Sequence, residues 1–181
     1  NSKNFQAYNH RGVVLIELKR PKEAIESWNN AIKIKPDFAE AYNNLGNVLN
    51  DLKRFDESLK KYNEAIKIKP NFFEAYSNRG SVLKALNKLE EALNSCNEAI
   101  KINPKYAEAY NNRGIILAEL KQVDAALENY KNAIKINPNF SDAYNNQGVL
   151  LIELKRLDDA KESFESALKI NPDSNFLLGR L

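Results

Sequence analysis

Apolar residues return along this chain in two alternating helical rhythms. In the first, a tyrosine is followed four residues later by glycine and three after that by leucine: Tyr8, Gly12 and Leu15 open a series that recurs at Tyr42, Gly46 and Leu49, at Tyr76, Gly80 and Leu83, at Tyr110, Gly114 and Leu117, and at Tyr144, Gly148 and Leu151. Spacings of four and three lie on one face of a helix. At about 100° per residue, Leu18, Leu52, Leu86, Leu120 and Leu154 are expected to extend that buried stripe. Glycine inside a helix costs about 1 kcal/mol relative to alanine, so its place in the stripe points to a close approach between helices.

The second rhythm follows each first one. Acids open it (Glu23; Asp56 and Glu57; Glu90 and Glu91; Asp124; Asp158 and Asp159) and lysines close it (Lys33, Lys67, Lys101, Lys135, Lys169), as the helix dipole favours. Small residues stand seven apart within it, from Ala24 and Ala31 to Ala160 and Ala167, and offer the glycine face a place to nestle. Ile34, Ile68, Ile102, Ile136 and Ile170 end the helix, and a proline two residues later stops it from continuing. Pro21 fits the opening turn of a helix, where its missing donor costs nothing.

Both rhythms share a period of 34 residues, marked by the five glycines and by Pro36, Pro70, Pro104, Pro138 and Pro172. A period of this size is that of an all-α array in which each helix pair buries its face against the next. The repeats are read as 5–38, 39–72, 73–106, 107–140 and 141–174 within one array over 1–181, with 175–181 as the start of a capping or sixth helix. Phe176, Leu177, Leu178 and Leu181 are expected to cover the last apolar face or to mediate weak self-association of an otherwise monomeric chain.

Tyrosine, glycine four later, alanines in the second helix and a closing proline, at period 34, resemble the tetratricopeptide repeat over about residues 5 to 174. The resemblance implies a right-handed superhelical solenoid of five antiparallel helix pairs whose first helices line a concave, protein-binding groove. One departure is the turn between helices, where the family favours glycine and this chain has Lys19, Lys53, Asn87, Lys121 and Lys155. Left-handed backbone at these residues carries modest strain.

Helical arithmetic places the residues three and two before each glycine opposite the buried stripe. The first row is Asn9, Asn43, Ser77, Asn111 and Asn145; the second is His10, Asn44, Asn78, Asn112 and Asn146. Packed helices lie about 8–10 Å apart and an extended peptide advances about 3.3 Å per residue, so the amides meet a bound chain at about every third residue. An asparagine offers both a donor and an acceptor, which suits a peptide unit of any sequence. The double row resembles the asparagine ladder of protein O-linked N-acetylglucosamine transferases. Asn47, Ser81, Ile115 and Val149 are further groove candidates, beside apolar Val13, Ile16, Ala118 and Ile152.

The expected function is a protein-interaction scaffold that holds an extended segment. The alternatives are the substrate-recruiting arm of a larger glycosyltransferase and, less favoured, an RNA-binding helical repeat. Acids on the groove margins (Glu40, Glu74, Glu108 and Asp142; Glu17, Asp51, Glu119 and Glu153) oppose an acidic ligand or phosphate. The basic residues with which chaperone-binding relatives clamp a terminal carboxylate are asparagine or acid here. Arg11, Arg79 and Arg113 flank the stripe, where their stems can pack.

Charge adds little to this picture, since 27 lysines and arginines are interspersed with 24 acids and favour neither nucleic acid nor membrane. The sole histidine, His10, and the sole cysteine, Cys96, stand in different repeats, so neither a metal site nor a catalytic pair is expected, and no cofactor. Cys96 shares its phase with Trp28, Tyr62, Tyr130 and Phe164 and is expected to be a core thiol, consistent with a reducing, cytoplasmic setting. The chain is read as a non-enzymatic piece of a longer protein.

Overall fold

A computed structural model describes residues 4–172, and the expectations for 173–181 lie outside them. The described residues form ten helices: α1 (Asn4–Glu17), α2 (Pro21–Ile34), α3 (Ala39–Asp51), α4 (Phe55–Ile68), α5 (Phe73–Ala85), α6 (Leu89–Ile102), α7 (Ala107–Glu119), α8 (Val123–Ile136), α9 (Ser141–Glu153) and α10 (Leu157–Ile170). They fall into two compact units, 1–88 and 89–181. In the first unit α1 pairs with α2 and α3 with α4, and α5 stacks on α4; in the second, α6 packs on α7, and α7–α8 and α9–α10 form pairs.

The turns inside the pairs follow one design. At the end of α3, the Lys53 N–H donates to Asn50 C=O at 2.8 Å and the Arg54 N–H to Leu49 C=O at 2.8 Å. These two bonds make a Schellman ending, which requires a left-handed residue between helix and exit. Lys19, Lys53, Asn87, Lys121 and Lys155 supply it with φ between 57° and 60°, as the turn expectation holds. Second helices stop where isoleucine and proline require: Lys35, the residue before Pro36, is extended at φ −132° and ψ 92°.

This turn corrects the reading of Leu18, Leu52, Leu86, Leu120 and Leu154. Leu52, Leu86, Leu120 and Leu154 are the residues that leave the helix, so helical arithmetic no longer governs where they point. Leu18 is 58% exposed, and Leu52 and Leu154 are also exposed. The glycine expectation holds in kind but not in partner. A Cβ on Gly12 would lie 2.5 Å from Trp28 Cε2, and one on Gly46 2.5 Å from Tyr62 Cε1, so the first helix rests on an aromatic ring of the second rather than on its alanines. Ala24, Ala31, Ala65, Ala126 and Ala133 are buried elsewhere in the same interfaces.

A recurrent polar tie stands at the start of the second helices. Arg20 donates through Nε and Nη2 to Glu23 at 2.6 and 2.7 Å, and Arg54 repeats this fork on Glu57. The hydrogen bonds from Arg20 hold the Glu23 carboxyl below its ordinary range. Arg11 donates to Ser27 Oγ at 2.7 Å, Arg79 to Asn63 Oδ1 at 3.2 Å, and Arg113 to both Asn129 and Asn97 at 2.7 and 2.9 Å. Their charges thus bind second helices. Cys96 is buried, and burial pushes its thiol up to about 12.

Candidate functional site

The first helices carry the amide rows, and the structure separates the two rows. Asn43, Asn111 and Asn145 are 6–7% exposed and Ser77 is fully covered, so the row three before glycine belongs to the interior in the second to fifth repeats, while Asn9 of the first is half-buried. In that respect the expectation of a double exposed row is corrected. The reason is that each first helix inside a stack is covered on more than one flank: Ala41, Ala75, Ala109 and Ala143, five before glycine, are wholly buried, and Val48, Val82, Ile116 and Leu150, two after it, are buried too. The covered arc is therefore wide enough to take in Asn43 and its equivalents.

The second row remains accessible: His10 is exposed, and Asn44, Asn78, Asn112 and Asn146 are half-buried. The rows are stitched together from one repeat to the next. In the first unit Asn44 Nδ2 donates to Asn9 Oδ1 at 3.0 Å, and Asn78 Nδ2 donates to Asn43 Oδ1 at 3.2 Å. In the second, Asn146 Nδ2 donates to Asn111 Oδ1 at 2.9 Å. Each of these oxygens meets the amide 35 residues further on. Asn145 Oδ1, the last of the series, is buried without a hydrogen-bond partner.

Second helices reach into the same network. Trp28 Nε1 donates to Asn9 Oδ1 at 3.1 Å, and the Tyr62 hydroxyl donates to Asn47 Oδ1 at 2.7 Å. Asn78 Nδ2 also reaches Asn47 Oδ1 at 3.0 Å. The amides are thus held in fixed orientations with one end spent inward. For Asn44 the end not spent is the Oδ1 acceptor; for Asn47 it is the Nδ2 donor.

Between first helices lie hollows. One of about 300 Å³ separates α1 from α3 and is lined by Val13, Ile16, Glu17, Trp28, Asn44, Asn47, Val48 and Asp51. A second, of about 230 Å³, lies between α7 and α9 among Ile115, Ala118, Glu119, Lys121, Tyr130, Asn146, Val149, Leu150 and Glu153. The two occupy equivalent positions three repeats apart. Ser81 is half-buried on α5, and Asn112 on α7. Of the margin acids, Glu40 is engaged by Lys69 Nζ at 3.1 Å.

Sequence reasoning missed these hollows as units, because each joins residues from two repeats and one from a second helix. The signal was present in the shared phase of Trp28 and Tyr130. Among the described residues no group of three or more histidine, cysteine, aspartate or glutamate side chains is placed to hold a metal ion. No helix among them is long and apolar enough to cross a membrane.

Comparison with known proteins agrees with the geometry. The family described as TPR repeat matches residues 14–50, 46–87 and 80–121, and that described as Tetratricopeptide repeat matches 107–140 and 141–174. No curated protein matches the chain by sequence. Among solved structures, TTC0263, a thermophilic TPR protein of Thermus thermophilus, superimposes with a TM-score of 0.86 at 24% identity, over 97% of this chain and 96% of that one. PilF of Pseudomonas aeruginosa does so at 0.85 and 18% identity, over 97% and 80%. YrrB, described as a TPR protein with an unusual peptide-binding site, gives 0.67 at 22% identity, over 99% and 98%. These likenesses show the shared fold. Period, hairpin geometry and matched profiles together place the chain in the tetratricopeptide-repeat family.

Proposed function

We propose that this protein is an interaction scaffold that holds an extended segment of a partner protein along the first-helix face of its repeats. The observation that carries this reading is the orientation of the accessible amides. Asn44, Asn78 and Asn146 each commit Nδ2 inward and so present an acceptor at fixed phase, and Asn44 and Asn146 do so beside hollows with apolar walls. A peptide added to such a face satisfies its backbone with side-chain amides and places side chains in the hollows. Orienting the amides in advance lowers the ordering cost of binding. The description of YrrB as a peptide-binding TPR protein is in keeping with this use.

The test is selection of random 12-residue peptides displayed on phage against the full chain, followed by affinity measurement on an Asn44→Ala/Asn78→Ala variant whose helicity is checked by circular dichroism. Enriched peptides that bind the parent chain and lose about tenfold or more on the variant support the reading, since that loss corresponds to about 1.4 kcal/mol. Peptides that bind both equally remove the amide row from the site.

The asparagine row also favours a second reading, in which the same face recruits substrates for a glycosyltransferase in a longer chain. Reading the gene beyond Leu181 checks it: a nucleotide-sugar transferase domain there is the expected result, and any other continuation ends this reading.

A further inference from the structure

The hollow between α1 and α3 combines three chemistries in about 300 Å³. Its walls are Val13 and Ile16, which are exposed on α1, and its floor is the ring of Trp28. Its amides are complementary: Asn44 keeps an acceptor and Asn47 a donor, the pair that one peptide unit requires. Its rim carries Glu17 and Asp51, the last residues of α1 and α3. At those helix ends the carbonyl groups add to the negative potential. Among the described residues no cation lines this hollow.

The equivalent hollow between α7 and α9 shows which parts are specific to the first. There Glu119 and Glu153 keep the acids, and both act on Tyr130, whose phenol is raised chiefly by burial and further by these carboxylates. Val149 replaces Asn47, however, which removes the donor, and Lys121 enters the lining, which offsets the acids. The two sites have the same place in the repeat and different chemistry.

We propose that the α1–α3 hollow is the anchor of the groove and that it takes a partner segment in which an aliphatic residue stands next to a lysine or arginine. This rests on the reading of the first-helix face as a peptide groove. The aliphatic side chain packs on Val13, Ile16 and Trp28, the peptide unit bridges Asn44 and Asn47, and the cation sits between Glu17 and Asp51. Arginine satisfies the two carboxylates better than lysine, because its planar fork donates to both at once. Because both acids are exposed, the cation's share of the affinity is screened by salt over about 8 Å at physiological ionic strength.

The same phage selection of random 12-residue peptides tests this, with the consensus peptide then measured on two variants. Glu17→Gln/Asp51→Asn removes charge from helix C-termini and leaves the fold intact, and Glu119→Gln/Glu153→Gln does the same in the second unit. The expected result is a consensus with arginine or lysine beside leucine, isoleucine or valine, bound about tenfold more weakly by the first double variant and unchanged by the second. A consensus lacking a basic residue, or equal affinity for the first variant, overturns the inference and leaves the groove reading standing. A loss confined to the second variant overturns the assignment to α1–α3. Failure to enrich any peptide overturns both the inference and the groove reading.

Discussion

Replacing Gly12 by alanine separates helix propensity from close packing. Propensity alone makes Gly12→Ala stabilising by about 1 kcal/mol. Packing opposes it: the new Cβ would lie 2.5 Å from Trp28 Cε2, 2.7 Å from Nε1 and 2.9 Å from Cδ2, all atoms of a rigid, buried ring. Ordinary contact begins at 3.4 Å, so the indole must move by about 1 Å. That movement strains the Trp28 Nε1 bond to Asn9 Oδ1, which also holds Asn44. Overpacking costs about 1–3 kcal/mol and a weakened hydrogen bond about 1 kcal/mol more, against about 1 kcal/mol gained from propensity. The expected net loss is about 1–3 kcal/mol, located in the first repeat. Trp28 is the only tryptophan in the chain, so its fluorescence during urea unfolding reports that repeat directly. Helix arrays open locally, and the local midpoint is the quantity to compare. An unchanged or raised midpoint refutes the argument that glycine is there for approach.

Four further outcomes follow from the geometry. Asn111→Ala leaves Asn146 Nδ2 without its acceptor and is expected to cost about 1–3 kcal/mol in urea unfolding. Asn145→Ala, which deletes an oxygen already lacking a partner, is expected to cost less, and equal losses refute the relay. Lys53→Gly relieves a left-handed residue at φ 59° and is expected to raise stability by about 0.5–1 kcal/mol, read as a rise in melting temperature. Cys96, with its thiol raised by burial from 9.0 to about 12, keeps its proton longer in the folded state than in the unfolded one. Its contribution is therefore full below the unfolded value and lost as pH rises from 9.0 towards 12, so the melting temperature falls across that range and Cys96→Ala flattens the fall.

Much of the fold was legible because its signals are covalent and local. Proline cannot join a helix interior, and so Pro36 and its equivalents fix where each second helix ends. Lysine at the turn was legible as strain, since a Schellman ending needs a left-handed residue whatever its side chain. The buried asparagines were not legible by the same means. A helical wheel has one covered side, whereas α3 is covered on several flanks, and the alanines at Ala41, Ala75, Ala109 and Ala143 were the overlooked sign of it. Leu52 was misplaced for the converse reason, that the helix ends one residue before it. The hollow between α1 and α3 required two repeats and Trp28 to be brought together, which no single repeat encodes.

The stitched amides also bear on how such a gene changes length. Each of these three bonds runs from an asparagine donor to an asparagine acceptor 35 residues earlier, whereas the third repeat carries Ser77 at the acceptor position. Excising residues 39–72 in frame would bring Asn78 to the place of Asn44, facing Asn9, and restore the bond that was cut out. Unequal recombination between copies that carry asparagine at the acceptor position therefore restores a matched joint, and a lineage can lengthen or shorten its binding surface by such repeats without having to invent a new interface.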